Sequence, residues 1–163
     1  MNKGTKIGIA LAVLLMVLVG VRLGLFSRGQ SDSELIKAAL DDATTAAMAG
    51  RPGPVLEFIS KQFTYNGVGD INEGQIANYI KASKPEVVVK NQNAVISGDS
   101  ATITSTVHVN APLPGGNSIE RDFPNVTLNF RREDTVTWLI FPGKTWRLTE
   151  VSAPGAPSAD SGE

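Results

Sequence analysis

The spacing of hydrophobic positions changes twice along this chain, from a continuous apolar run to a helical period and then to alternation. The continuous run covers Ile7 to Phe26, and Arg22 is its only charged residue. A helix of these 20 residues would be roughly 30 Å long, about the thickness of the hydrocarbon core of a bilayer. Because Arg22 lies near one end, its side chain can reach the headgroups. The run therefore predicts a transmembrane helix over residues 7–26.

The residues that flank this run favour a retained signal anchor over a cleaved signal peptide, which stays the alternative. The segment that follows it contains no Ala-x-Ala cleavage site. Lys3, Lys6 and the terminal amine precede the run, whereas Arg22 and Arg28 lie at its far end. This difference gives a weak bias towards a cytoplasmic N-terminus. We therefore expect the folded domain outside the cytoplasm of a single-pass cell-membrane protein. The cytoplasmic end, signal anchor and linker are predicted at residues 1–6, 7–26 and 27–30.

A helical period begins at Ser31. This residue, with Glu three positions later, forms a capping-box pattern, and Leu, Ile and Ala at helical spacing follow as far as Gly50. Pro54 is placed to open a second, short helix as its first residue. Asn72 is placed to cap a third helix, which Pro85 ends. The sequence therefore predicts three helices, with a short extended piece at Phe63-Thr64-Tyr65 between the second and the third.

After Pro85 the apolar positions alternate with polar ones, as is typical of strands with one buried face. The clearest such run extends from Ala101 to Asn110. A long strand is predicted over Ile119–Phe130, with a break at Pro124. Helices followed by antiparallel strands indicate an α+β fold, in which the helices pack on one face of a curved sheet.

The end of the chain is predicted to contain two reversals and a tail. Arg131–Asp134 is expected to form a turn, and Pro142-Gly143-Lys144 is expected to close a final hairpin. Residues 152–163 are rich in Pro, Gly, Ala and Ser, and they carry too little apolar surface to offset the entropy of ordering. We therefore expect the folded domain to cover residues 31–151 and the tail to be disordered.

Composition excludes several kinds of chemistry. The 163 residues include 15 Lys and Arg against 16 Asp and Glu, so there is no basic excess with which to bind nucleic acid. The absence of Cys excludes disulfides, thiolate metal sites and cysteine nucleophiles, and the single His excludes a His-rich metal cluster. The adjacent acids Asp41-Asp42 and Glu133-Asp134 are typical of a solvated surface. We expect no metal and no cofactor.

The order of these elements resembles the nuclear transport factor 2-like (NTF2-like, or SnoaL-like) superfamily. The resemblance depends on Phe63-Thr64-Tyr65-Asn66-Gly67 after the second helix and on the terminal run Trp146-Arg147-Leu148-Thr149-Glu150-Val151. It covers residues 31–151 and implies a cone, in which the helices close over the curved antiparallel sheet. Members of the superfamily include isomerases, dehydratases, cyclases, transport factors and membrane-tethered secretion-system subunits, so this fold alone does not determine a function.

The resemblance also implies a pocket inside the cone. The residues expected to line it are aromatic and aliphatic, namely Phe58, Phe63, Tyr65, Tyr79, Val107, Leu128, Phe130 and Trp146. An enzyme would need an acid or base that points inwards. His108 alternates with Val107 and Val109, so it is expected to point away from the apolar side. Tyr65 and Tyr79 are more typical of the edge of a core, although their hydroxyls could reach a pocket.

These observations favour a binding domain over an enzyme. We expect a membrane-tethered, extracytoplasmic NTF2-like domain that binds a protein partner or a small ligand and performs no catalysis. The expected partners are membrane lipid, through residues 7–26, and a membrane protein or a second copy of the chain. One alternative is a small isomerase, dehydratase or hydrolase that uses Tyr65, Tyr79 or His108. Another is a subunit of a secretion apparatus.

Overall fold

A computed structural model describes residues 30–69, 72–112, 118–137 and 141–155. In these four ranges no helix is both long enough and apolar enough to cross a bilayer. The transmembrane helix predicted at 7–26 lies outside the described residues, as does most of the predicted tail.

Three helices precede most of the strands, and their limits follow the local capping signals. They are α1 (Asp32–Met48), α2 (Pro52–Phe58) and α3 (Glu73–Ser83). Helix α1 begins directly after Ser31, as predicted. The side chain of Asn72 caps α3, as predicted, because its Oδ1 accepts hydrogen bonds from two main-chain nitrogens of the first turn, at 2.8 and 3.3 Å. Local capping signals therefore located the starts of α1 and α3.

The start of α2 differs from the prediction by two residues. The helix begins at Pro52, so Pro54 is its third residue and not its first. Both prolines lie in the first turn, where the main-chain nitrogen has no helical partner, so either position is compatible with proline.

The described residues contain six strands, which form one sheet. They are β1 (Ile59–Tyr65), β2 (Glu86–Val89), β3 (Val95–Ser97), β4 (Ser100–Pro112), β5 (Ser118–Thr137) and β6 (Phe141–Ser152). The strand order is β1-β6-β5-β4-β2, and β3 pairs with β4 beyond the end of β2. We call the face that carries the buried side chains of Ala101, Ile103 and Val107 the inner face, and the opposite one the outer face.

The sheet is not wholly antiparallel, which corrects the expectation from sequence. Strand β1 runs parallel to β6, whereas the other pairs are antiparallel. Parallel neighbours require a long connection, and the chain between β1 and β6 contains α3 and the rest of the sheet. The alternation within each strand carries no information about this long connection.

Both reversals predicted near the end of the chain are wrong. Arg131–Asp134 belongs to β5, where it pairs with Lys144–Arg147 of β6. Pro142-Gly143-Lys144 is also strand, opposite residues 134–136. None of residues 131–135 is buried. This part of β5 can therefore be as polar as a turn although it stays paired with β6.

The hydrophobic core lies between α1, α2 and the inner face of the sheet. Its largest fully buried side chains are Ile36, Ile103 and Phe130. The rings of Phe58 and Phe130 meet at a tilt of 58°, with their centroids 5.9 Å apart. Ser152 is the last residue of β6 and Ala153 is buried, so both belong to the fold and not to the predicted tail.

Candidate ligand-binding cavity

An apolar cavity of about 300 Å³ lies between helices α1 and α2 and the inner face of the sheet. This volume is at the lower end of the range of roughly 300–1,000 Å³ that is usual for small-molecule pockets. Most of the described lining residues are Val, Leu, Ile, Phe or Ala, and among them only Thr44 and Tyr65 carry a polar side-chain atom. The cavity is therefore suited to an apolar molecule, or to the apolar part of a larger one.

Small residues on α1 leave room for this cavity. Ala43 and Ala47 are one helical turn apart, are buried, and line the cavity together with Leu40. Each methyl side chain faces the sheet where a larger side chain would occupy the space. The alanine-rich pattern of α1 thus produces both a close approach to the sheet and the empty volume beneath the helix.

A bulge in β5 shapes the opposite wall. Ser105 of β4 pairs with Val126, and Val107 pairs with Phe123, so Pro124 and Asn125 together lie opposite one residue of β4. Asn125 takes the left-handed conformation, with φ of 57°. In a regular strand, residues three apart point to opposite faces. The bulge brings both Phe123 and Val126 to the cavity.

A second bulge, in β6, also brings two residues that are three positions apart to the cavity. Asn129 pairs with Glu150 and Phe130 pairs with Leu148, so Thr149 is the extra residue. Its hydroxyl donates a hydrogen bond to the main-chain oxygen of Asn129, at 3.0 Å. As a result Leu148 and Val151, three residues apart, both line the cavity.

The bulge in β5 also determines where Arg121 lies. Arg121 pairs with Val109, which lines the cavity, and its guanidinium carbon lies 5.3 Å from the centroid of the Phe123 ring. Without the bulge, the alternation set by Val126 would place Asp122 on the inner face and Arg121 on the outer one. The structure therefore brings a cation beside the apolar wall, which sequence periodicity did not predict.

Tyr65 is the only titratable group among the described lining residues. Burial raises the pKa of its phenol above the ordinary value, and the neighbouring Asn66 amide opposes part of this shift. The hydroxyl is therefore protonated at neutral pH. It can donate a hydrogen bond to a carbonyl or hydroxyl oxygen of a ligand, but it is not a base.

The residues predicted to line the pocket fall into two groups. Four lie in the wall of the cavity, namely Phe58, Tyr65, Val107 and Leu128. The other four lie elsewhere: Phe63 in a groove between β1 and α3, Tyr79 exposed on α3, and Phe130 and Trp146 in the core. The indole nitrogen of Trp146 lies 3.2 Å from Oδ1 of Asp32, which Arg132 also contacts.

His108 lies on the outer face, away from the cavity. Its Nδ1 is 2.7 Å from Oδ1 of Asp122, whose Oδ2 is 2.6 Å from Nζ of Lys90. The hydrogen bond from Lys90, followed by that from His108, holds the pKa of Asp122 below its ordinary value. This exposed cluster does not reach a ligand in the cavity.

Among the described residues of the cavity wall, none is suited to proton transfer at neutral pH. No carboxylate and no imidazole is among its described lining residues. In the part of the chain that the structure describes, no three His, Asp or Glu side chains are grouped as a metal ion would require. The geometry therefore supports binding through apolar contact, with the hydroxyls of Thr44 and Tyr65 as the polar groups of the described wall.

Comparison with known proteins identifies the fold. No protein-family model matches the chain, and no curated protein matches it in sequence. An NTF2-like protein from Cytophaga hutchinsonii has a TM-score of 0.57 at 9% identity, over 76% of this chain and 97% of that one. The S. rosetta CaMKII hub has a TM-score of 0.55 at 12% identity, over 78% and 99%. An NTF2-like superfamily protein from Salmonella enterica has 0.54 at 14%, over 80% and 95%.

At these identities the similarity establishes the fold and nothing further. The domain has an NTF2-like fold, with helices packed on a curved, unclosed sheet, and this confirms the fold predicted from the order of elements. What the domain binds has to be argued from its own cavity.

Proposed function

We propose that this domain binds a small, largely apolar ligand in the cavity and performs no reaction on it. The observation that carries the proposal is the composition of the wall, where Thr44 and Tyr65 supply the only polar side-chain atoms of the residues that the structure describes. A ligand gains affinity there by removing apolar surface from water, at about 25 cal/mol per Å² before the costs of association.

An enzymatic role is the weaker alternative. An isomerase or hydrolase needs a group that exchanges a proton near neutral pH within hydrogen-bonding reach of the substrate. Tyr65 holds its proton too strongly for that role, and His108 lies on the outer face. Tyr65 is therefore assigned to orienting a ligand through a hydrogen bond.

A cavity-filling substitution tests this proposal. In Ala43→Leu the added carbon atoms enter the cavity, whereas in the control Ala38→Leu they enter solvent from the exposed side of α1. The probe is phenylbutanol, an uncharged molecule with an apolar body. Its binding to the full chain in phosphatidylcholine nanodiscs is measured by saturation-transfer NMR, with empty nanodiscs as the blank.

We expect phenylbutanol to bind the wild type and Ala38→Leu equally and to lose at least about tenfold in affinity for Ala43→Leu, because the occupied volume excludes it. Absence of binding to the wild type, or equal binding to both variants, would overturn the proposal. Circular dichroism checks that both variants fold.

We also propose that residues 7–26 anchor the chain in the cell membrane and hold the domain outside the cytoplasm. The support is the apolar run of 20 residues, with Lys3 and Lys6 before it.

After alkaline carbonate extraction the full chain should stay with the membrane, while a chain that begins at Gln30 should be released. Protease added to intact cells or spheroplasts should cut the domain of the full chain. Release of the full chain by carbonate would contradict the anchor, and protection from protease would contradict the orientation.

A further inference from the structure

The position of Arg121 indicates which end group a ligand of the cavity carries. Two rows of residues cross strands β2, β4 and β5 on the inner face. The first row, Val89-Val107-Phe123, is buried and lines the cavity. The second row, Val87-Val109-Arg121, is more exposed, and its two valines also line the cavity. Arg121 therefore lies where the wall formed by β5 reaches solvent.

The guanidinium of Arg121 is held beside the wall without an acidic partner in the described parts of the chain. Its position over the ring of Phe123 is a cation–π contact, which limits the orientations of the side chain. Its two chain neighbours, Glu120 and Asp122, pair with Asn110 and His108 and so lie on the outer face. The ion pairs of the described residues do not include Arg121.

We propose that the ligand is an anionic amphiphile, whose apolar body fills the cavity and whose carboxylate is bound by Arg121. This inference rests on the proposed function and adds the class of ligand to it. A charged group is strongly disfavoured within the apolar wall, so the charge of a ligand has to remain at the edge. A guanidinium at that edge binds a carboxylate through two parallel hydrogen bonds and repels an ammonium group.

Three probes with the same apolar body separate charge from apolar contact. Phenylbutyrate carries a carboxylate, phenylbutanol is uncharged and phenylbutylamine is a cation. Dissociation constants are measured on the full chain in phosphatidylcholine nanodiscs. We expect the acid to bind about tenfold more tightly than the alcohol, and the amine to bind most weakly. The preference for the acid should shrink as salt is added, because Arg121 is exposed.

Substitutions on the two faces of β5 provide matched variants. Arg121→Gln should bring the affinity for the acid down to that for the alcohol and leave the alcohol unchanged, and Arg121→Lys should keep part of the preference. Arg131→Gln removes the same charge from the same strand, but Arg131 pairs with Ser100 on the outer face, so no change is expected.

Equal affinities of the acid and the alcohol for the wild type would overturn the inference. So would an equal loss of the acid preference in Arg131→Gln and Arg121→Gln, since that would indicate a general effect of net charge. If phenylbutanol does not bind the wild type at all, the proposed function fails. If phenylbutanol binds but phenylbutyrate binds no more tightly, only the inference about the anionic group fails.

Discussion

The side-chain amide of Asn66 binds the main chain of Ala153, eighty-seven residues away in sequence. Oδ1 accepts a hydrogen bond from the nitrogen of Ala153 at 2.7 Å, and Nδ2 lies 3.5 Å from its carbonyl oxygen. Asn66 itself is left-handed, with φ of 49°, and directly follows Tyr65. The contact thus joins the end of β1 to the end of β6, beside the only titratable group among the described residues of the cavity wall.

Asn66→Ala should lower the free energy of unfolding by about 2 kcal/mol. The change removes the hydrogen-bond acceptor of the main-chain nitrogen of Ala153, which is buried. It also places alanine at a positive φ, which alanine tolerates less well than asparagine. Asn66→Gly loses the same hydrogen bond but accepts the φ, so its loss should be smaller. Urea unfolding measures both, and equal stability of Asn66→Ala and the wild type would contradict the role given to this contact.

The bulge in β5 should depend on the residue at position 125. Asn125→Gly should stay within about 0.5 kcal/mol of the wild type, because glycine adopts positive φ freely. Asn125→Val should lose about 1–2 kcal/mol, because a β-branched residue is strained there. Asn125 is exposed, so apolar burial does not complicate the comparison. A valine variant as stable as the glycine variant in urea would show that φ at this position has no energetic cost.

The phenol of Tyr65 should titrate above the ordinary value of 10.0. The chain has two tyrosines, so in Tyr79→Phe the ultraviolet spectrum of phenolate reports on Tyr65 alone. The pKa of Tyr65 is higher in the folded chain than in the unfolded chain. The contribution of this group to the stability of the fold is therefore complete below pH 10.0 and is lost as the pH rises through the pKa of the folded chain. Tyr65→Phe should therefore lose less stability than the wild type over that alkaline range. A midpoint at or below the ordinary value would contradict the burial of this group.

Asp122 should show the opposite behaviour in acid. Its pKa lies below the ordinary 3.8, first because of the hydrogen bond from Lys90 and then because of that from His108. The resulting stabilisation is present above 3.8 and is lost as the pH falls through the lower, folded value. Lys90→Met should raise the carboxyl titration midpoint measured by ¹³C NMR, and His108→Gln should raise it less. An unchanged midpoint in Lys90→Met would contradict this assignment.

Local signals were enough for the helices and for the order of elements. The amide of Asn72 and the small residues of α1 act within one or two turns, so their effect is visible in a short stretch of sequence. The NTF2-like fold followed from the order in which helical and alternating periods occur. Residues 7–26 lie outside the described part of the chain, so the anchor stays a prediction.

The residues that line the cavity could not all be predicted, because their positions depend on strand pairing, which no short stretch of sequence contains. A break was expected at Pro124, but β5 continues through this residue with a bulge. The consequence of the bulge, that Phe123 and Arg121 lie on the inner face, depends on pairing with β4. The extra residue in β6 is defined only by its register with β5. The predicted pocket lining therefore included Val107 and Leu128 but not Phe123, Leu148 or Val151.

The strand order has a consequence for biosynthesis. Strand β1 is made early, yet among the described strands its only neighbour in the sheet is β6, the last of them to leave the ribosome. Until then the β1 edge has no strand to join, and the side of the pocket near Tyr65 cannot close. Pairing between such distant segments slows folding, so the domain is expected to complete its structure only after translation of the final strand.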